Sequence, residues 1–244
     1  MKPIDATHIV FQNIEGWVGD RIFQIVDFIG RDHDANGVKG DIAEIGVHHG
    51  KLFYIAATIA RPDEALIAID LFGQQGLNVD RSGNGDRAVF EGHADQFFPQ
   101  LKPQIKILEG DSMSLQDSDL RALMRQDRIR LFSVDGGHNP EHVVNDMSIA
   151  QTFLAPRGVV MLDDFFGYMW PSVTEGFFRY MATANRRLAP FLIFQNKVFL
   201  TTYSEHESML TALRAYLDEA VGHEIHTHWG YGKLCGFTVL THAR

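Results

Sequence analysis

Five short apolar runs occupy the middle of the chain, and each ends in an acid or a glycine. They are DIAEIG (41–46), EALIAID (64–70), QIKILEGD (104–111), IRLFSVDG (129–136) and RGVVMLDD (157–164). Segments with helical spacing lie between them, at 51–61, 86–100, 114–125 and 140–154. Strands that are apolar on both faces and alternate with helices need a parallel sheet covered on either side. The pattern predicts a doubly wound, mostly parallel α/β sheet. An opening helix is expected over 16–31, where Val18, Ile22, Ile25, Val26 and Ile29 share a face. The end departs from alternation. FLIFQNKVFLTTY (191–203) reads as an antiparallel hairpin turning at Gln195-Asn196-Lys197, followed by a helix over 205–220 and a late strand at 235–242.

With 244 residues, 45% of them hydrophobic, the chain can bury one sizeable core. A single domain over 1–244 is expected: an N-terminal helical extension (1–38), a core (40–203) and a C-terminal extension (204–244). The formal net charge of -9 argues against nucleic acid or an anionic membrane as the partner. A single cysteine, Cys235, excludes an intrachain disulfide, and no apolar stretch approaches the length of a membrane span. A cytoplasmic protein, able to form a homo-oligomer, is the expectation.

In an open parallel sheet, ligands bind beyond the carboxyl ends of the strands. That edge receives Gly46 to Gly50, Asp70, Glu109-Gly110-Asp111-Ser112, Asp135 and Asp163-Asp164. One such acid is an ordinary turn former or cap. All five strands ending this way are harder to explain by capping. Asp70 lies at the end of the strand that follows the Gly46 turn, where a carboxylate can accept the hydroxyls of a ribose, or else cap the loop. The dinucleotide pattern G-x-G-x-x-G is absent, because Val47, His48 and His49 stand between Gly46 and Gly50. The glycine-rich stretch 71–85 reads as a long loop at the same edge.

Glu44-Ile45-Gly46-Val47-His48-His49-Gly50, then Asp70, then Gly110-Asp111-Ser112 resembles the S-adenosylmethionine-binding series of class I methyltransferases. SVDGGHNPEHVVNDM (133–147) with GVVMLDDF (158–165) is similar to the subgroup of macrocin and mycinamicin O-methyltransferases and cephalosporin hydroxylase-like proteins. The resemblance spans roughly 40–202. It implies a Rossmann-like methyltransferase sheet. Glu44, Gly46, Gly50, Asp70, Asp111, Ser112 and Asp135 would hold S-adenosyl-L-methionine. Asp135, Asp163 and Asp164 would bind Mg²⁺ or another hard divalent cation, and His138 would be the catalytic base.

That set suits the chemistry. A hydroxyl is a poor nucleophile at neutral pH; a bound cation lowers its pKa and a base takes its proton. Carboxylates with few soft ligands favour a hard cation. Asn139 and Pro140 read as cap and first helical residue, so His138 precedes the helix and does not stack with His142 as an i, i+4 zinc pair. His138 is then either the base or only the residue that starts the helix. The aromatics Phe165, Phe166, Tyr168 and Trp170 either wall an acceptor pocket or pack the core. The expected function is O-methylation of a small-molecule hydroxyl, on a natural-product sugar or a catechol-like vicinal diol. The rivals are a nucleotide-dependent oxidoreductase and a non-catalytic cofactor-binding module.

Overall fold

The computed structural model describes residues 3–221 and 229–242. His223, His226 and His228, read from the sequence as surface histidines, lie outside the described residues. The helices are α1 (Pro3–Asn13), α2 (Ile22–Ala35), α3 (Lys51–Ala56), α4 (Arg87–Phe97), α5 (Asp117–Leu123), α6 (Pro140–Phe153), α7 (Pro171–Met181) and α8 (His206–Val221). The strands are β1 (Asp41–Ile45), β2 (Leu66–Asp70), β3 (Ile105–Glu109), β4 (Ile129–Val134), β5 (Leu154–Leu162), β6 (Leu188–Phe194), β7 (Lys197–Thr202), β8 (Trp229–Leu234) and β9 (Phe237–His242). They form one sheet in the order β3-β2-β1-β4-β5-β7-β6-β9-β8. The first five are parallel, as their apolar sequences require. β7 runs antiparallel between β5 and β6, which makes the expected hairpin. A second hairpin, β8–β9, extends the sheet beyond β6. No described helix is long and apolar enough to cross a membrane.

Two cores cover the two faces. One gathers Ile25 and Ile29 of α2, Phe53 of α3, Phe90 of α4 and Leu213 of α8 over β1, β2 and β4. The other gathers Leu120 of α5, Val143 and Met147 of α6 and Phe177 of α7 against the opposite face. The order reverses between β1 and β4, and the crevice of a doubly wound sheet opens at that reversal.

The N-terminal segment differs from expectation. The helix predicted from residue 16 begins at Ile22. Gly16, at φ 150°, packs against Lys51, and a side chain on Gly19 would collide with Gln195. Residues 15–18 are not helical and form a strap that lines the crevice. α1, α7 and β8 were not anticipated. In α7 the signal was legible, since Pro171 stands in the first turn and Val173, Phe177 and Tyr180 form one buried face.

Candidate active site

Ladder hydrogen bonds continue one residue past the ends of the parallel strands. Gly110 N–H donates to Asp70, Gly46 N–H to Ile69, Asp135 N–H to Ile45 and Asp163 N–H to Val134, all at 2.8–3.0 Å. Gly110, Asp70, Gly46, Asp135 and Asp163 are therefore locked into one row along the carboxyl edge. Above the row lies a cavity of about 540 Å³, a size suited to a small molecule or cofactor. Glu44, Gly46, Asp70, Asp111, Ser112, Asp135, His138, Asp163 and Asp164 all line it.

Gly50 does not line the cavity. It caps α3 with φ 94°, and a Cβ there would lie 2.5 Å from the Tyr54 ring and 2.9 Å from Phe90. Its glycine is required by packing under α3. Gly46 has a comparable reason: at φ 84° its missing side chain leaves room for the Asp135 carbonyl. Asp70 accepts from the N–H of His48 at 2.8 Å and of Phe72 at 2.6 Å, so it shapes the turn after β1 and also faces the cavity. Burial lifts its carboxyl above the ordinary range. Asp111 caps the turn after β3 through Met113 N–H at 2.9 Å, with His142 Nε2 3.9 Å from its carboxylate.

At the β4–β5 side the cavity floor is acidic. Asp135, His138 and Asp164 each offer a ligand atom within 4.8 Å of the others. His138 Nε2 lies 3.3 Å from Asp164 Oδ2 and 4.0 Å from Asp135 Oδ1. Asn139 caps α6 through His142 N–H at 3.0 Å and Pro140 occupies the first turn, so His138 stands just ahead of the helix and apart from His142. Burial disfavours the His138 imidazolium, but Asp164, Asp135 and Asp80 outweigh it and lift the pKa to about 9. Asp135 is pushed well above the usual carboxylate range by desolvation and by Asp163 beside it. Asp164 is pulled below that range against the effect of burial, chiefly by its hydrogen bond with His138.

Asp163 lies outside this trio. The reason is Lys197, whose fully buried ammonium pairs with the Asp163 carboxylate from one step beyond the Leu162–Val198 pair. Asn196 donates to Asp163 Oδ1 at 2.7 Å and to Asp164 Oδ1 at 3.1 Å, tying the two neighbours together. Asp164 takes φ 53°, a left-handed turn that aspartate tolerates. On the same side, Glu44 is buried with Oε2 unpartnered, and burial and Asp135 drive its carboxyl well above the usual range.

Three residues escaped the sequence reading. Asn196 sits in the β6–β7 turn and Lys197 opens β7, where a polar pair looks like ordinary turn chemistry. Asp80 comes from the loop 71–85 and holds His138 Nδ1 at 2.7 Å. The loop was legible as functional from its length, but its contact with a residue 58 positions away was not. The aromatics divide. Trp170 stacks on His138 at 4.2 Å between ring centres, Phe165 is core, and Phe166 and Tyr168 are exposed.

The structure is similar to several known methyltransferases. It superposes on the O-methyltransferase NovP with a TM-score of 0.62 over 76% of this chain and 81% of that one, at 18% identity. The O-methyltransferase from Bacillus cereus in complex with SAH matches with a TM-score of 0.54 over 80% and 89%, at 11% identity. MycE, a methyltransferase of the mycinamycin biosynthetic pathway in complex with Mg, SAH and mycinamycin VI, matches with a TM-score of 0.54 and 14% identity. There 83% of this chain covers 53% of MycE, about half its length. At these identities the likeness is one of fold. Comparison with curated protein sequences gives no match. The methyltransferase-domain family profile matches residues 43–165, half of the chain and the part that carries β1 to β5 and the cavity floor, and the chain belongs to that family.

Proposed function

We propose that this chain is an S-adenosyl-L-methionine-dependent O-methyltransferase that uses a divalent cation and acts on a small molecule with neighbouring hydroxyls, such as a natural-product sugar or a catechol. One observation carries the reading. Asp135, His138 and Asp164 converge on the floor of the cavity that also holds Asp70 at the tip of the second strand. The residues fit a cation. Asp135 and Asp164 offer hard oxygen donors, and the acid cluster around them, with Glu44 unpartnered, has one buried ammonium that is committed to Asp163. Asp70 would hold the ribose, Asp111 and Ser112 the adenine end, and Glu44, Gly46 and the turn after it the methionine end.

A cation held by Asp135 and Asp164 would make an acceptor hydroxyl more acidic and fix its oxygen. His138 Nε2 faces the same space; a cation on Asp135 and Asp164 would offset the negative charges that hold its ring protonated, and the neutral imidazole would take the hydroxyl proton. Trp170, stacked on His138, keeps the ring in one plane and shields it from water. The strap residue Trp17 and the loop residues Leu77 and Val79, all exposed at the cavity wall, give an acceptor an apolar surface to rest on.

A second reading follows from the proximity of His138 to both carboxylates. Two carboxylates and an imidazole also suit a transition metal, with His138 as a ligand instead of a base. Calorimetry decides between them. On the first reading His138→Ala keeps its affinity for Mg²⁺; on the second it loses affinity for Mn²⁺ and Zn²⁺. The function itself is tested by titrating S-adenosylhomocysteine and NAD into the protein and by measuring S-adenosylhomocysteine release with catechol and glycoside acceptors. Binding of S-adenosylhomocysteine and cation-dependent release support the proposal. NAD binding with no response to S-adenosylhomocysteine contradicts it.

A further inference from the structure

His138 is held from both sides of its ring. Nε2 looks toward Asp135 and Asp164, and Nδ1 looks away from them to Asp80 Oδ2 at 2.7 Å. The same Asp80 oxygen accepts the His138 backbone N–H at 2.9 Å. Its other oxygen is fixed by Ser82, through the N–H at 2.9 Å and the hydroxyl at 2.6 Å. Asn78 closes the turn by accepting from Arg81 N–H at 3.0 Å and donating to the Ser82 carbonyl at 2.6 Å. The Asp80 side chain is 14% exposed. Although burial disfavours its charge, the hydroxyl of Ser82 and the N–H of His138 hold its carboxyl down at about 2, so it is a carboxylate and only accepts.

A neutral imidazole has one donor and one acceptor nitrogen. A carboxylate against Nδ1 makes Nδ1 the donor and leaves the lone pair on Nε2. Nε2 is the nitrogen that faces the acid pair. Without Asp80 the ring proton has a competing place, because Asp164 Oδ2 lies 3.3 Å from Nε2 and accepts it there. The lone pair would then point away from the reacting hydroxyl.

We propose that Asp80 is a positioning residue for methyl transfer: from the loop between β2 and α4 it fixes His138 in the Nδ1–H tautomer, with the Nε2 lone pair turned to the acceptor. The inference rests on His138 as the base. It also explains why a glycine-rich loop at this edge is stitched together by its own polar side chains. The loop ends at Gly85, where a side chain would approach Asp70 Oδ1 to 3.0 Å, so one segment spans from the proposed ribose carboxylate to the base.

The test reads the tautomer without turnover. Full-length protein labelled with ¹⁵N-histidine, saturated with S-adenosylhomocysteine and Mg²⁺, is followed by NMR to the alkaline end of a pH titration, where the ring is neutral. The His138 resonances are assigned by their loss in His138→Ala. Ser82 Oγ lies 3.2 Å from the same Nδ1 and can stand in as acceptor, so the decisive variant is Asp80→Ala/Ser82→Ala. Wild type is expected to carry the proton on Nδ1, the double variant on Nε2, and Asp80→Asn, which keeps an acceptor oxygen, on Nδ1. A proton on Nε2 in wild type, or one that stays on Nδ1 in the double variant, overturns the proposal. Turnover by His138→Ala at the wild-type rate would remove the base assignment and leave the tautomer result standing, so the two failures are distinct.

Discussion

Replacing Lys197 with methionine tests the electrostatics of the cavity floor. The ammonium is fully buried and is paired with Asp163. Burial alone would discharge it, but Asp163 and Asp135 hold its pKa above the ordinary lysine value. Methionine keeps most of the unbranched stem and removes the charge. At an effective dielectric of about 20, one contact ion pair is worth about 4 kcal/mol. Removing one partner of a buried pair costs about 3–5 kcal/mol, because the other charge is left uncompensated. For a chain of this length that lowers the melting temperature by roughly 10 °C. Lys197→Met should therefore lose about 3–5 kcal/mol in urea unfolding, and Lys197→Met/Asp163→Asn should recover most of it, since neither charge remains. Mg²⁺ should stabilise the single variant more than wild type, because Asp163 is then free to share a cation. A loss under about 1 kcal/mol, or a double variant worse than the single, would refute the view that Lys197 exists to balance Asp163.

Other outcomes follow from single residues. Gly46→Ala must bring a side chain into φ 84° and against the Asp135 carbonyl, so it should lose stability and S-adenosylhomocysteine affinity together, by melting and calorimetry. Gly83→Ala, at φ 80° with open space around it, should cost only the backbone strain of about 1–2 kcal/mol. His33 is buried between the Arg130 guanidinium and the Arg157 carbonyl, and burial, then Arg130, hold its pKa at about 3. Between pH 6.5 and 3 the unfolded chain takes a proton that the folded one refuses, so stability falls as pH falls, by up to about 1.4 kcal/mol per unit. Asp146, lifted to about 6 by burial, acts with the opposite sign between pH 3.8 and 6, so the His33 contribution is read as the difference in slope between wild type and His33→Gln. The slope should be shallower in the variant; equal slopes would contradict the assignment.

Much of this was legible because buried parallel strands announce themselves. β1, β2, β4 and β5 are buried almost throughout and β3 is a half-buried edge strand, and their ends put Gly46, Asp70, Asp111, Asp135 and Asp163-Asp164 on one edge. The cap at Asn139-Pro140 was legible for the same local reason. Pairings across the fold were not. Asp163 and Asp164 look equivalent in sequence, and only the antiparallel return of β7 gives one of them Lys197. Gly50 looked like a cofactor glycine because the turn after a first strand often is one, whereas its neighbours prove to be Tyr54 and Phe90. The strap at 15–18 was hidden by helical spacing that continues through it into α2.

The proposed function places one divalent cation on Asp135 and Asp164 beside His138. The most direct measurement is a Mn²⁺ titration of the S-adenosylhomocysteine-bound protein by electron paramagnetic resonance, with Mg²⁺ as competitor. One site per chain is expected, displaced by Mg²⁺, abolished in Asp135→Asn and in Asp164→Asn, and retained in His138→Ala. No site in wild type, or a site that survives both aspartate substitutions, would contradict it.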